Sequence, residues 1–163
     1  MGHNTEAKFM SKLASEWNAE THSDGDPTPH KLNGNLVAYI FAGNATITVE
    51  NTATGNKEVY IIKKPFDDGP HFVSSLVGRG NIEKHLGTIF QNQKYVYNRK
   101  KSKIPQDSQT ARVFEWAFPR MLKGTLPEQV EVNHAGYCGR CGRLLTVPVS
   151  IQSGFGPVCI NKI

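Results

Sequence analysis

The last thirty residues constrain this chain more than any other stretch. All three cysteines fall there, in the spacing His134-x3-Cys138-x2-Cys141-x17-Cys159. Divalent zinc prefers four soft or borderline donors in a tetrahedron. The x2 spacing offers two thiolates from one tight loop. Gly139 and Gly142 let that loop fold beneath an ion with its amide hydrogens aimed at sulfur. The run GFGPVC brings the third thiolate. Gly154 and Gly156 permit a sharp turn, and Pro157 suits the first position of a short helix. Cys159 would then lie in the first turn, where free amides stabilise a thiolate. An odd number of clustered cysteines argues against a disulfide framework, and no βαβ pattern surrounds the CxxC to suggest a redox motif. His134 is the favoured fourth ligand because the chain there is already beside the loop; Asn161, a water, or the more distant His30, His71 and His85 are its rivals. Four protein ligands would make one closed, structural Zn2+ site, and 134–163 holds no Asp or Glu to act as a general base. A knuckle followed by a ligand at a helix start is the logic of a treble-clef-like zinc finger.

Upstream, the hydrophobic period separates the chain into parts. Phe9, Leu13 and Trp17 recur at helical spacing, so 1–20 reads as an amphipathic N-terminal helix that docks on the main domain. The Pro- and Gly-containing run at 21–34 reads as a linker. From Leu36 the pattern turns to period two. LVAYIFAG (36–43) reads as a strand; ATITVE and KEVYIIKK, joined by NTATGN, make a hairpin over 45–64. HFVSSLVG, HLGTIF and KYVYNRKK continue as short strands, and the run without intervening helices argues for an antiparallel sheet or a small barrel. Helical spacing returns at 108–122, capped by Asp107 or Ser108, with Val113, Trp116, Ala117 and Met121 as the buried stripe and Pro119 expected to kink or end it. The fold class is therefore α+β, with a sheet domain over 35–125, flanking helices and a zinc-binding domain over 126–163. At 163 residues the chain suits one domain and a small appendage. It holds no run of eighteen apolar residues, and its N-terminus is too polar for a signal peptide, so a cytoplasmic location is expected.

Charge is unevenly spread. The net charge is +5, yet residues 56–103 hold ten Lys or Arg against four Asp or Glu, and 134–163 add three cations and no acid. A locally positive surface suits a polyanion or an acidic protein. Lys94, Arg99, Lys100, Lys101 and Lys103 surround Tyr95 and Tyr97, which share a face of their strand; rings that stack on bases beside cations that track phosphates are what single-stranded nucleic-acid binding uses. Lys63, Lys64 and Arg79 extend that surface, and Arg140 and Arg143 sit on the knuckle. The competing reading is a lysine-rich edge strand that resists aggregation. GRGNIEKHLG lacks phosphate-loop spacing, and the histidines and the Asp67–Asp68 turn form no catalytic pattern, so an enzyme is not expected.

The run CGRCGRLLTVPVSIQSGFGPVC also resembles a short zinc-binding domain of unknown function, with the pattern CxxCGRxLTxPxSIxxGxGPxC, found in bacteriophage and actinobacterial proteins. Cys138, Cys141, Gly142, Arg143, Leu145, Thr146, Pro148, Ser150, Ile151, Gly154, Gly156, Pro157 and Cys159 all fit it. The segments ATITVENTATGNKEVYIIKK, HFVSSLVG and LGTIF resemble the N-terminal part of such phage proteins more weakly. The resemblance implies a phage or mobile-element product acting inside a host cell. It carries no chemistry. The expected function is nucleic-acid binding, of DNA or RNA, single-stranded or without sequence preference; the alternative is an accessory factor that binds and redirects a host protein.

Overall fold

The computed structural model describes residues 30–31, 36–78, 82–146 and 148–162. The expected helix over 1–20, nearly all of the expected linker and Arg79 lie outside them. The described chain is α+β, as expected. Seven strands form one antiparallel sheet: β1 (His30–Lys31), β2 (Asn44–Asn51), β3 (Lys57–Lys63), β4 (His71–Val77), β5 (Ile82–Ile89), β6 (Tyr95–Tyr97) and β7 (Val130–His134), in the order β1-β7-β2-β3-β4-β5-β6. The helices are α1 (Leu36–Ile40), α2 (Gln109–Lys123) and α3 (Pro148–Ser153), with a 3-10 turn at Cys159–Asn161. The sheet is open, with β1 and β6 at its edges, and does not close into a barrel.

β2 and β4 largely keep the period-two pattern because one face is covered, whereas the last four residues of β5 are all buried. Register aligns Ile47 with Tyr60 and Tyr60 with Ser75, and it aligns Ala45 with Ile62 and Ile62 with Val73. Against this face lies α2. Ser108 caps it by accepting from the Ala111 N–H, and Gly124, in the left-handed region at φ 68°, ends it. The helix therefore runs on past Pro119. Its buried stripe is Ala111, Phe114, Ala117, Phe118 and Met121; Trp116 lies outside it, with the Arg120 guanidinium over its ring. Phe114 stacks on Phe118 and meets the rings of Tyr60 and Tyr95, both at 4.8 Å. The Tyr60 hydroxyl donates to Thr110 O at 2.6 Å, whereas the buried Tyr95 hydroxyl of the same cluster has no hydrogen-bond partner among the described residues.

Two segments depart from expectation. Residues 36–43 are not a strand: Leu36–Ile40 is one helical turn, with Tyr39 and Ile40 fully buried. An uninterrupted apolar run fits a buried strand and a buried helical turn equally well. The second is the start of the 126–163 segment expected as a zinc-binding domain. Val130–His134 enters the sheet between β1 and β2, pairing Ile47 with His134 and Val49 with Val132. The segment expected as a separate zinc domain thus begins as a strand of the main sheet.

Gly87 allows β6 to close on β5. A Cβ there would stand 2.6 Å from Val96 O and 2.7 Å from the Tyr95 ring. Both belong to the paired strand, so neither can move aside cheaply. Gly87→Ala is expected to lower stability by about 1–3 kcal/mol, the usual cost of overpacking, read as a fall in the urea midpoint with unchanged m-value.

Candidate metal centre

From the end of β7 the chain turns back on itself. Leu145 N–H donates to Gly136 O at 2.8 Å, Tyr137 bridges Leu144, and Cys138 N–H donates to Arg143 O at 2.7 Å. Gly142 closes the loop with φ 78° and an N–H bond to Cys138 O at 2.9 Å. This is the tight turn expected of CxxC with a following glycine. The segment Pro148–Ser153 forms α3, which ends on Gly154 at φ 82°. Gly154 O accepts from Gly139 N–H at 2.9 Å and ties the two loops together. Cys159 opens the 3-10 turn that follows.

These turns bring the Sγ atoms of Cys138, Cys141 and Cys159 within 4.8 Å of one another. Tetrahedral zinc–thiolate bonds of about 2.3 Å place sulfurs about 3.8 Å apart, so the cluster needs only a small contraction around an ion. Backbone N–H groups already point at sulfur: Cys141 N at 3.5 Å and Gly156 N at 3.4 Å from Cys138 Sγ. The Arg140 guanidinium lies 3.6 Å from Cys159 Sγ. Burial alone would push the Cys138 thiol up, but the N–H bonds from Cys141, Gly156 and Arg140 outweigh it and bring the thiol down to about 7. Burial and the neighbouring thiols push Cys141 the other way. The donor set suits a soft or borderline divalent ion such as zinc.

His134 stands outside this cluster. Its ring is buried; Nε2–H donates to Ile151 O at 2.6 Å and Nδ1 accepts from Gly136 N–H at 3.0 Å. That pair of bonds requires the neutral tautomer with the proton on Nε2. The imidazole therefore straps the end of β7 to α3.

Several residues that the sequence did not single out seat the module. Tyr39 is completely buried, and its hydroxyl lies 3.0 Å from Tyr137 O and 3.4 Å from Thr46 O. Gly139 lies flat on the Tyr39 ring; a Cβ there would come within 2.5 Å of Cδ2. Asn44 clamps the knuckle twice, through its N–H to Gly139 O and its Nδ2 to Arg140 O, both at 2.7 Å. Phe155 packs on Tyr39 at 5.8 Å. Gly139 is the one sequence signal that pointed here, since a glycine in a turn often marks a close approach.

The basic residues fall into two groups. Lys63 pairs with Asn44 across the sheet, and Lys64 N–H donates to Gly43 O, so both lie next to the strand end that holds the backbone of Gly139 and Arg140. Lys94, Arg99, Lys100, Lys101 and Lys103 are exposed around β6 and the turn after it, where Asn98 Oδ1 accepts from the N–H groups of Lys100 and Lys101. The strand expected through 101 stops at Tyr97. Five strand spacings, about 24 Å, separate β6 from β7. Tyr95 and Tyr97 do share a face, but it is the covered one. Tyr95 packs edge-on against Phe114, and the Tyr97 hydroxyl donates to Ile104 O. They form no open stacking platform. His71 and His85 are held below the usual histidine range, first by burial and then by the nearby ammonium groups of Lys64 and Lys101 respectively.

Residues 131–163 match the model of a family of unknown function (DUF6011). The match begins inside β7, so the recurring unit includes the strand that anchors it. No curated protein and no solved structure matches the chain. No described helix is long and apolar enough to cross a membrane.

The Cys138 thiol makes a prediction about metal uptake. Below its pKa of about 7 a proton must leave Cys138 for an ion to bind; above it the thiolate is already present. Log affinity for zinc is therefore expected to rise with pH and to lose one unit of slope on passing through about pH 7, measured by chelator competition. Cys159→Ser should abolish tight binding and leave 138–162 open to protease while the sheet remains folded.

Proposed function

We propose that the chain is a zinc-stapled binding protein for nucleic acid, in which one structural Zn2+ holds a treble-clef-like finger against an antiparallel sheet. The observation that carries this reading is the juxtaposition of Lys63 and Lys64 with the knuckle bearing Arg140 and Arg143, made through Asn44. The surrounding segment 134–163 contains no acid. Cations on a rigid, metal-held loop beside a sheet end suit phosphate contacts without base readout. The exposed group from Lys94 to Lys103 provides a second cationic surface for a long polyanion. Binding fits better than catalysis. Glu58, the carboxylate in a cleft of about 330 Å3 beside Trp116, accepts from Thr110 and Gln109 and has no histidine or second carboxylate beside it in that lining. The resemblance to bacteriophage proteins supports action in a host cytoplasm.

A second reading, docking on an acidic host protein, is favoured by one observation. Leu144, Val149, Val158 and Ile160 are exposed on the same cation-bearing module. Exposed apolar side chains on a cation-bearing module, two of them (Leu144 and Val158) lining one cleft with Arg143, fit a protein surface as well.

A salt titration separates the two. Affinity for single- or double-stranded nucleic acid should fall by about 0.7–0.9 log units per log unit of salt for each phosphate contacted. Replacing Lys63 and Lys64 together with Gln should reduce that slope by the same amount for each lost contact. Salt-insensitive or absent binding to DNA and RNA, with one stoichiometric protein captured from host lysate, would favour the second reading.

A further inference from the structure

We infer that the centre takes only three ligands from the described chain, that its fourth position is exchangeable and faces the cleft beside α3, and that His134 is a positioning residue, not a ligand. The inference rests on the reading of Cys138, Cys141 and Cys159 as a metal centre. Three observations carry it. First, each ring nitrogen of His134 has a backbone partner, Ile151 O and Gly136 N–H, and those two bonds join β7 to α3. Turning Nδ1 onto an ion would take it from the buried Gly136 N–H and leave that group unpaired, and turning Nε2 would break the bond to Ile151 O. Second, among the described residues no fourth His, Cys, Asp or Glu joins the three thiols. The amide of Asn161 donates to Pro157 O and is exposed. Third, the thiols border a cleft of about 390 Å3 shared with Arg143, Thr146 and Ser150, and Cys141 itself is exposed. There is both room and access for a donor from outside.

The chemistry selects the class of that donor. A divalent ion with three thiolates carries one net negative charge, so a neutral nitrogen donor completes the tetrahedron without adding charge to a partly buried site. An imidazole fits: the side chain of a histidine on a bound partner, with water in its place when the partner is absent. The apolar rim of Leu144 and Val158 would exclude solvent around such a side chain. Under this arrangement the centre is a staple and also a recognition point.

The test uses the full chain loaded with cobalt(II) in place of zinc, with free imidazole as the probe. Imidazole should shift the visible d–d bands saturably, and His134→Gln should leave both the unliganded spectrum and that response unchanged. An imidazole titration that moves nothing overturns the inference. So does a His134→Gln spectrum that differs from wild type while the sheet stays folded. Because His134→Gln could loosen α3, X-ray absorption of the wild-type zinc form gives an independent reading. Three sulfurs and one light atom, without the outer-shell scattering of an imidazole ring, are expected. Imidazole scattering without added imidazole, or four sulfurs, overturns the inference. Failure to bind zinc or cobalt at one ion per chain would instead sink the metal reading itself, so the two failures are distinguishable.

Discussion

The structure turns on the contact between Tyr39 and the knuckle. A single helical turn, Leu36–Ile40, places this ring between the sheet and the cysteine loop, where no part of it reaches solvent. Burial holds its hydroxyl protonated, well above the usual tyrosine range, so it stays a donor to the carbonyls it faces at Tyr137 and Thr46. Gly139 fits only because it lacks a Cβ. Asn44 then fixes the loop laterally. Without this seat the cysteine loop would hang from β7 alone, and the cationic knuckle would have no fixed relation to Lys63 and Lys64.

That seating changes how the metal centre is understood as a folding device. About thirty residues cannot bury enough apolar surface to fold unaided, and an ion commonly makes up the difference. Here the sheet contributes as well. Val132 and His134 are buried as members of β7, and Leu145, Phe155, Cys138 and Cys159 belong to the same core cluster as Ile47 and Phe118. The module is part of the domain's core, and an ion bound by the cysteines would organise its distal turns.

How much was legible in sequence follows from how local each feature is. The 45–64 hairpin and the strand at 71–77 were readable because one face is buried and the other is not. Of Ile82–Ile89 only the part from His85 was expected, since its first residues are exposed and its last four are buried without alternation. The expected stripe of α2 is right at Ala117 and Met121 and wrong at Trp116, which is exposed; Phe114 and Phe118 are buried on the neighbouring stripe, and both stripes are apolar. Only contact with Tyr60, Tyr95 and Phe41 chooses between them. The same limit governs Tyr95 and Tyr97. Their i, i+2 spacing puts both rings on one face, but which face is covered depends on where α2 lands, and α2 lands on theirs.

The sequence by itself determined the thiol donors and the glycine turns that gather them, because ligand spacing in a tight loop is a local property of the backbone. It also determined the excess of positive charge. Only the tertiary structure decided that β7 carries the module into the sheet and that Asn44 joins Lys63 and Lys64 to the knuckle. It alone spends both nitrogens of His134 on Ile151 and Gly136. Those outcomes depend on which distant backbone groups are left needing a partner once the sheet has closed, and that is settled by packing between segments rather than by spacing along the chain.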